Sequence, residues 1–172
     1  MALSKKLEDA INEQINKELY SAYLYLSMSA YAEAEGLPGF ATWMRIQAQE
    51  EVGHAMRLFD FVNNRGGRVV LKAIEMPPPV WKSPLKVFEQ VLEHEQKVTG
   101  LINRLYELAL NENDYATQME LQWFVTEQVE EEDSAGQVVE QLRRVGDQPM
   151  GLHMLDKELG QRQAGAAAEA AE

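Results

Sequence analysis

Glu51 and His54 stand three apart in the run Gln47-Ala48-Gln49-Glu50-Glu51-Val52-Gly53-His54, so on a helix both point the same way. A stripe traced in alternating steps of four and three runs Phe40, Met44, Gln47, Glu51, His54, Leu58 and Phe61. A carboxylate and an imidazole therefore take core positions, with large apolar residues on both sides. Three other stretches are broken in the same manner: by Glu18, by Glu95, and by Gln128 with Glu131. Carboxylate and imidazole are metal-ligand types. Each break alone is weak evidence, because a single Glu on an apolar stripe is often a half-exposed flank. Their joint meaning depends on the elements that carry them.

Those elements are helical by period. The first, about residues 4–35, carries the stripe Ile11, Ile15, Glu18, Ala22, Tyr25, Ser29 and a second apolar row with Leu7, Leu19, Leu26 and Ala30. Ser4 suits an N-cap and Gly36 a stop. Leu37-Pro38-Gly39 is a short turn, so the second helix, residues 38–65, returns antiparallel. The connection over residues 66–83 holds Pro77-Pro78-Pro79 and little helical pattern. A helix of about 28 residues spans roughly 42 Å, and an extended connection of this length covers that distance. The third helix is therefore expected parallel to the second. It starts at Ser83-Pro84, and its stripe is Leu85, Phe88, Leu92, Glu95, Thr99, Ile102, Tyr106, Ala109. The fourth, residues 115–145, reads Leu121, Phe124, Gln128, Glu131, Ala135, Val138, Leu142. A short amphipathic piece with Leu152, Leu155 and Leu159 follows. The expected fold is all-α: a four-helix bundle with one long crossover between helices two and three and a short fifth helix.

Bulk properties agree. The 172 residues, 45% hydrophobic and 26% charged, suit one domain over residues 1–160, with a disordered Ala/Glu-rich tail at 161–172. No apolar run is long enough for a membrane span, and the first residues lack the apolar segment of a secretory signal. The chain has no cysteine, which excludes disulfides and thiolate metal sites and favours a cytoplasmic location. A net charge of −12 argues against nucleic acid as a partner and suits attraction of cations.

The breaks all fall near mid-helix, and midpoints of similar helices lie at one height in a bundle. Four carboxylates, one imidazole and one amide thus converge inside the core. Burying unpaired carboxylates is costly, and their mutual repulsion adds to that. Nothing basic lies on these stripes. Two divalent cations would balance four ionised carboxylates, and an oxygen-rich donor set with one imidazole suits iron or manganese. Di-metal carboxylate bundles carry a Glu on each of two helices and Glu-x-x-His on the other two. Here the second helix matches, whereas the fourth reads Gln128-x-x-Glu131.

At this point the stretches Asn12-Glu13-Gln14, Glu18-Leu19-Tyr20-Ser21, Gln49-Glu50-Glu51 with His54, His94-Glu95-Gln96 and Leu121-Gln122-Trp123-Phe124-Val125 with Glu127–Glu132 are recognisable. From near its start to about residue 160 the chain resembles the bacterial non-haem ferritins, including their Gln-x-x-Glu on the fourth helix. The resemblance implies a ferroxidase centre that oxidises Fe(II) to Fe(III) with O2 and stores it as a ferric mineral. Glu18, Glu51 and His54 would hold the first iron. Glu95, Gln128 and Glu131, with Glu51 bridging, would hold the second. Ferritins of this kind often have a third site, here Glu50, Glu127, Glu130 and Glu131. Tyr25 matches the family's tyrosine beside the centre, and Trp123 a nearby tryptophan that could pack between subunits. The resemblance also implies a hollow homo-oligomeric shell of twenty-four subunits whose channels the fifth helix would line.

Bacterioferritins bind haem through a methionine just after the second-helix metal glutamate. Val52 stands there, so no haem is expected. The eight methionines are read as flexible core filler. His94 points about 100° away from Glu95 around the helix and is expected at the surface. His153 is expected to be a plain interface residue. The competing enzymatic reading is a di-iron peroxidase or oxygenase of the ferritin-like superfamily, which would need an open substrate pocket.

Overall fold

Ser4 accepts from the Leu7 N–H at 3.3 Å, Ser83 from Lys86 N–H at 3.2 Å, and Asp114 from Thr117 N–H at 2.9 Å. Each side chain satisfies a donor that a helix start leaves open. In the computed structural model, which describes residues 3–163, these caps begin α1 (Lys5–Ala34), α3 (Pro84–Asn111) and α4 (Tyr115–Val145). The remaining elements are α2 (Pro38–Asn64) and α5 (Pro149–Leu159), and no strand occurs among the described residues. α1 and α2 each end before a glycine in the left-handed region, Gly36 at φ 74° and Gly66 at φ 71°. The expected Ala/Glu-rich tail from residue 164 onward lies outside the described residues.

α2 is capped differently. Leu37 offers no capping side chain, and Asp156 of α5 accepts from Gly39 N–H at 2.8 Å and Phe40 N–H at 3.0 Å instead. This requires a close approach. A Cβ on Gly39 would lie 1.6 Å from the Asp156 carbonyl oxygen. Glycine at position 39 is therefore what lets α5 dock on the start of α2.

Side-chain pairings fix the directions. Arg57–Glu120 and Arg65–Asp114 run α2 antiparallel to α4, and Arg143–Glu89 with Gln128–Glu95 run α4 antiparallel to α3. α2 and α3 are thus parallel, as the long connection requires. That connection follows α1 from end to end. Asn12 bonds Arg68 O and Val70 N–H, Ser27 bonds Pro78 O, and the Trp81 ring packs edge-on against Tyr31 at 5.4 Å.

The apolar core has two parts. One, with Leu24, Met28, Phe40, Trp43, Phe88 and Leu142, fills the end that α5 closes. The other, with Leu7, Ile11, Leu58, Ile102, Leu121 and Phe124, fills the opposite end. Between them every long helix places its polar break. The second row proposed for α1 is only partly buried, since Leu26 and Ala30 are exposed among the described residues. The methionine expectation is also corrected. Met28 and Met44 are core residues, but Met56, Met76, Met119, Met150 and Met154 are exposed.

Candidate metal centre

Glu18, Glu51, His54, Glu95, Gln128 and Glu131 are each at most 5% exposed. All six expected core ligands therefore lie in the layer between the two apolar clusters. Ligand atoms of Glu18, Glu51 and His54 lie within 4.8 Å of one another. A second group at that spacing joins His54, Glu127 and Glu131. The imidazole connects the two groups: Nδ1 is 3.5 Å from Glu51 Oε2 and Nε2 is 3.9 Å from Glu127 Oε1. Two buried atoms of the inner group, Glu18 Oε2 and His54 Nε2, have no hydrogen-bond partner. Buried polar atoms are rarely left so unless an ion or water serves them.

The remaining lone pairs are held by neutral donors. Gln14 donates to Glu18 Oε1 at 2.7 Å, one helical turn away. Gln47 donates to Glu131 Oε2 at 2.6 Å and to Glu51 Oε1 at 3.3 Å. Tyr25 O–H donates to Glu95 Oε1, and Gln128 donates to Glu95 Oε2 at 3.2 Å. Glu95 belongs to neither three-residue group, but its charge is close enough to Glu131 to oppose ionisation there.

Electrostatics follow from crowding acids in a buried layer. Burial first, and then the Glu51 charge, push Glu18 up to about 8. Burial raises Glu95 to about 7, and burial with the Glu95 charge does the same for Glu131. Burial and the charges of Glu95 and Glu131 raise Glu51 well above the carboxylate range. Burial likewise raises Tyr25, so it remains a phenol that donates. Without a cation the layer keeps protons; with one, the protons must leave.

The acids expected at a third site are only partly gathered. Glu127 is half-buried, and burial raises it, with the charges of Glu130 and Glu50 adding to that. Glu130 is exposed on α4. Glu50 is paired with Arg162 at 2.6 Å. His94, expected at the surface, is half-buried. α1 covers it, Ser21 Oγ lies 2.7 Å from its Nε2, and Tyr25 meets its ring edge-on at 6.0 Å. Burial lowers it to about 4, so it is a neutral imidazole. Trp123 packs inside the subunit, edge-on to His54 at 5.4 Å and under the Arg57 guanidinium at 4.3 Å. His153 is exposed on α5.

Two supporting residues were not singled out from sequence. Gln47 lay on the α2 stripe, and its polar type was the available signal. Arg162 follows α5 outside any periodic pattern and gave none.

Comparisons with known proteins agree with this geometry. Residues 8–145 match the ferritin family, described as a ferritin-like domain. A bacterial non-haem ferritin of Bacteroides fragilis is 49% identical over 160 residues, covering 93% of this chain and 99% of that protein. One from Staphylococcus aureus is 39% identical, covering 93% of this chain and 96% of that protein. A crystal structure of a ferritin from the hyperthermophilic archaeon Archaeoglobus fulgidus, described as open-pore, superposes with a TM-score of 0.94. It is 56% identical and covers 94% of this chain and all of that one. The buried Glu/His layer, the four long helices with their crossover and these relatives agree: the chain belongs to the ferritin family, as an iron-storage ferritin.

Proposed function

We propose that each subunit oxidises Fe(II) with O2 at a di-iron ferroxidase centre in its own bundle and passes the Fe(III) to a ferric mineral inside a hollow shell. Iron is the substrate here. The observation that carries the reading is the buried inner group, in which Glu18 Oε2 and His54 Nε2 lack a hydrogen-bond partner among the described residues.

Glu18, Glu51 and His54 take one Fe(II). Glu95, Gln128 and Glu131 take the other, with Glu51 between them. Entry of the two cations displaces the protons that burial keeps on these carboxyls. Each iron then gives one electron to O2. The carboxylate-rich shell favours the higher charge of Fe(III), while the amides of Gln14 and Gln47 and the Tyr25 hydroxyl hold the acids in place. A groove of about 330 Å³ between α3 and α4, lined by Thr99, Gln128 and Glu132 among others, reaches the layer at Gln128. It supplies a route by which product leaves the second position. Glu127, with Glu50, Glu130 and Glu131, forms the acidic surroundings for a third iron.

The peroxidase or oxygenase reading finds little support. A cavity of about 730 Å³ between α1, α3 and the crossover is lined by Lys17, Tyr20, His94 and Arg104 among others, and by none of the six core ligands. We also assign assembly into twenty-four subunits, absence of haem and a cytoplasmic location. Val52 at the position of the haem methionine supports the second of these. For assembly, Tyr23, Leu26, Val52 and Met56 leave large apolar side chains exposed on α1 and α2. No helix among the described residues is long and apolar enough to cross a membrane.

Aerobic mixing of metal-free protein with Fe(II) tests the reaction. Fast oxidation and a soluble ferric product are expected. Glu51→Ala and His54→Ala should each slow the initial rate by about 100-fold or more while the shell still assembles, since each removes a direct ligand. Variants as fast as the parent would refute the site.

A further inference from the structure

Three residues beyond the end of α5, Arg162 reaches back to the bundle. Its Nη1 donates to Gln47 Oε1 at 2.8 Å, and its Nη2 to Glu50 Oε2 at 2.6 Å. The guanidinium lies 4.4 Å above the Trp43 ring, a surface that fixes its plane. Gln47 has no exposed surface. Its amide nitrogen makes the two bonds to Glu131 and Glu51 described above.

Donor chemistry makes this arrangement directional. Arginine only donates, and a carboxylate only accepts. The atom of Gln47 facing Arg162 must therefore be its oxygen, which turns the NH2 group towards the two acids. Without Arg162, the buried Gln47 oxygen loses that donor, and the orientation of the amide rests on its bonds to Glu131 and Glu51 alone. The position of Arg162 depends in turn on α5, which Asp156 ties to the start of α2 and which Gly39 allows to approach.

We propose that Arg162 is a positioning residue for the metal centre: through the amide of Gln47 it orients Glu51 and Glu131, so the segment after α5 sets the affinity of a site made by the other four helices. The inference rests on the reading of these acids as metal ligands. The same guanidinium holds Glu50, so a cation arriving at Glu50 meets a position where a positive charge is already seated.

The test is titration of the assembled, metal-free protein with Co²⁺, followed by visible absorption. It compares the parent, Arg162→Ala, Gln47→Met and the double variant. Co²⁺ binding does not depend on the oxidation reaction. Loss of an outer partner of a ligand typically costs about 10-fold in metal affinity, so Arg162→Ala and Gln47→Met should each weaken the tightest Co²⁺ site by about that factor. Because both act through one route, the double variant should bind no more weakly than Gln47→Met alone. Parent affinity in Arg162→Ala overturns the inference, and so do losses that multiply in the double variant, the signature of general loosening. If Gln47→Met fails to assemble, the Arg162→Ala comparison decides alone. Absence of Co²⁺ binding by the parent overturns this inference together with the reading beneath it, whereas binding unaffected by the variants overturns this inference only.

Discussion

At the scale of single residues, the centre consists of acids forced into a layer where they cannot all ionise. Glu18 is raised to about 8, Glu95 and Glu131 to about 7, and Glu51 well above the carboxylate range. Between an ordinary carboxyl value and these raised values the folded chain binds more protons than the unfolded one. Stability contributed by the protonated forms is therefore complete at low pH and lost as pH rises through about 7 to 8. His94, lowered to about 4 from 6.5, acts in the opposite sense but only below 6.5. The window above that belongs to the acids. The thermal unfolding midpoint of metal-free protein should fall from about pH 6.5 to about pH 8, and divalent metal should reverse the trend with release of protons. A midpoint that rises across the window without metal would contradict the assigned electrostatics. The six buried polar residues of the layer were legible in the sequence because each breaks a helical stripe at mid-length. Their supporting donors were less so. Gln47 reads as one more polar residue until Glu131, 84 positions away, is placed against it. The partial cover over His94 was not legible, because helical angle says where a side chain points but not what packs against it.

At the scale of elements, the four long helices were legible to within a residue or two, because apolar period agrees with a capping side chain or a glycine at one end or both. The fifth was legible only as a short amphipathic piece. The parallel relation of α2 and α3 followed from the length of the connection alone. The tether between α5 and α2 was not legible. Asp156 caps a helix that begins over a hundred residues earlier, and no local pattern encodes such a pairing. Asp156→Ala removes the oxygen that accepts both bonds and should cost about 1–2 kcal/mol, as other lost caps do. Gly39→Ala should cost more, since its Cβ meets backbone at 1.6 Å and α5 must move away as a body. Chemical denaturation of the two variants separates these cases, and a Gly39→Ala chain at least as stable as Asp156→Ala would show that α5 is not held as described. The exposure of five methionines was also beyond the sequence, since a flexible apolar side chain suits a core and an outward face equally well.

At the scale of the whole molecule, the polar layer divides the bundle core into two apolar halves, and the acidic chain as a whole favours the approach of cations. Storage needs an enclosed volume, which one bundle does not have. Native mass measurement should therefore find a large closed assembly of the 19.5 kDa chain, the proposed number being twenty-four, whereas a monomer or dimer would count against storage. The polar layer was legible because the four breaks occur in register, a relation visible only when the helices are considered together, and the family was legible in the stretches that surround them. The central claim is that these breaks make one iron site. Its most direct test is an anomalous-scattering map, at the iron edge, of crystals soaked anaerobically in Fe(II). Two peaks are predicted within each subunit, one among Glu18, Glu51 and His54 and the other among Glu95, Gln128 and Glu131, with Glu51 reaching both. Iron found elsewhere on the chain, with no peak inside this layer, would contradict the account.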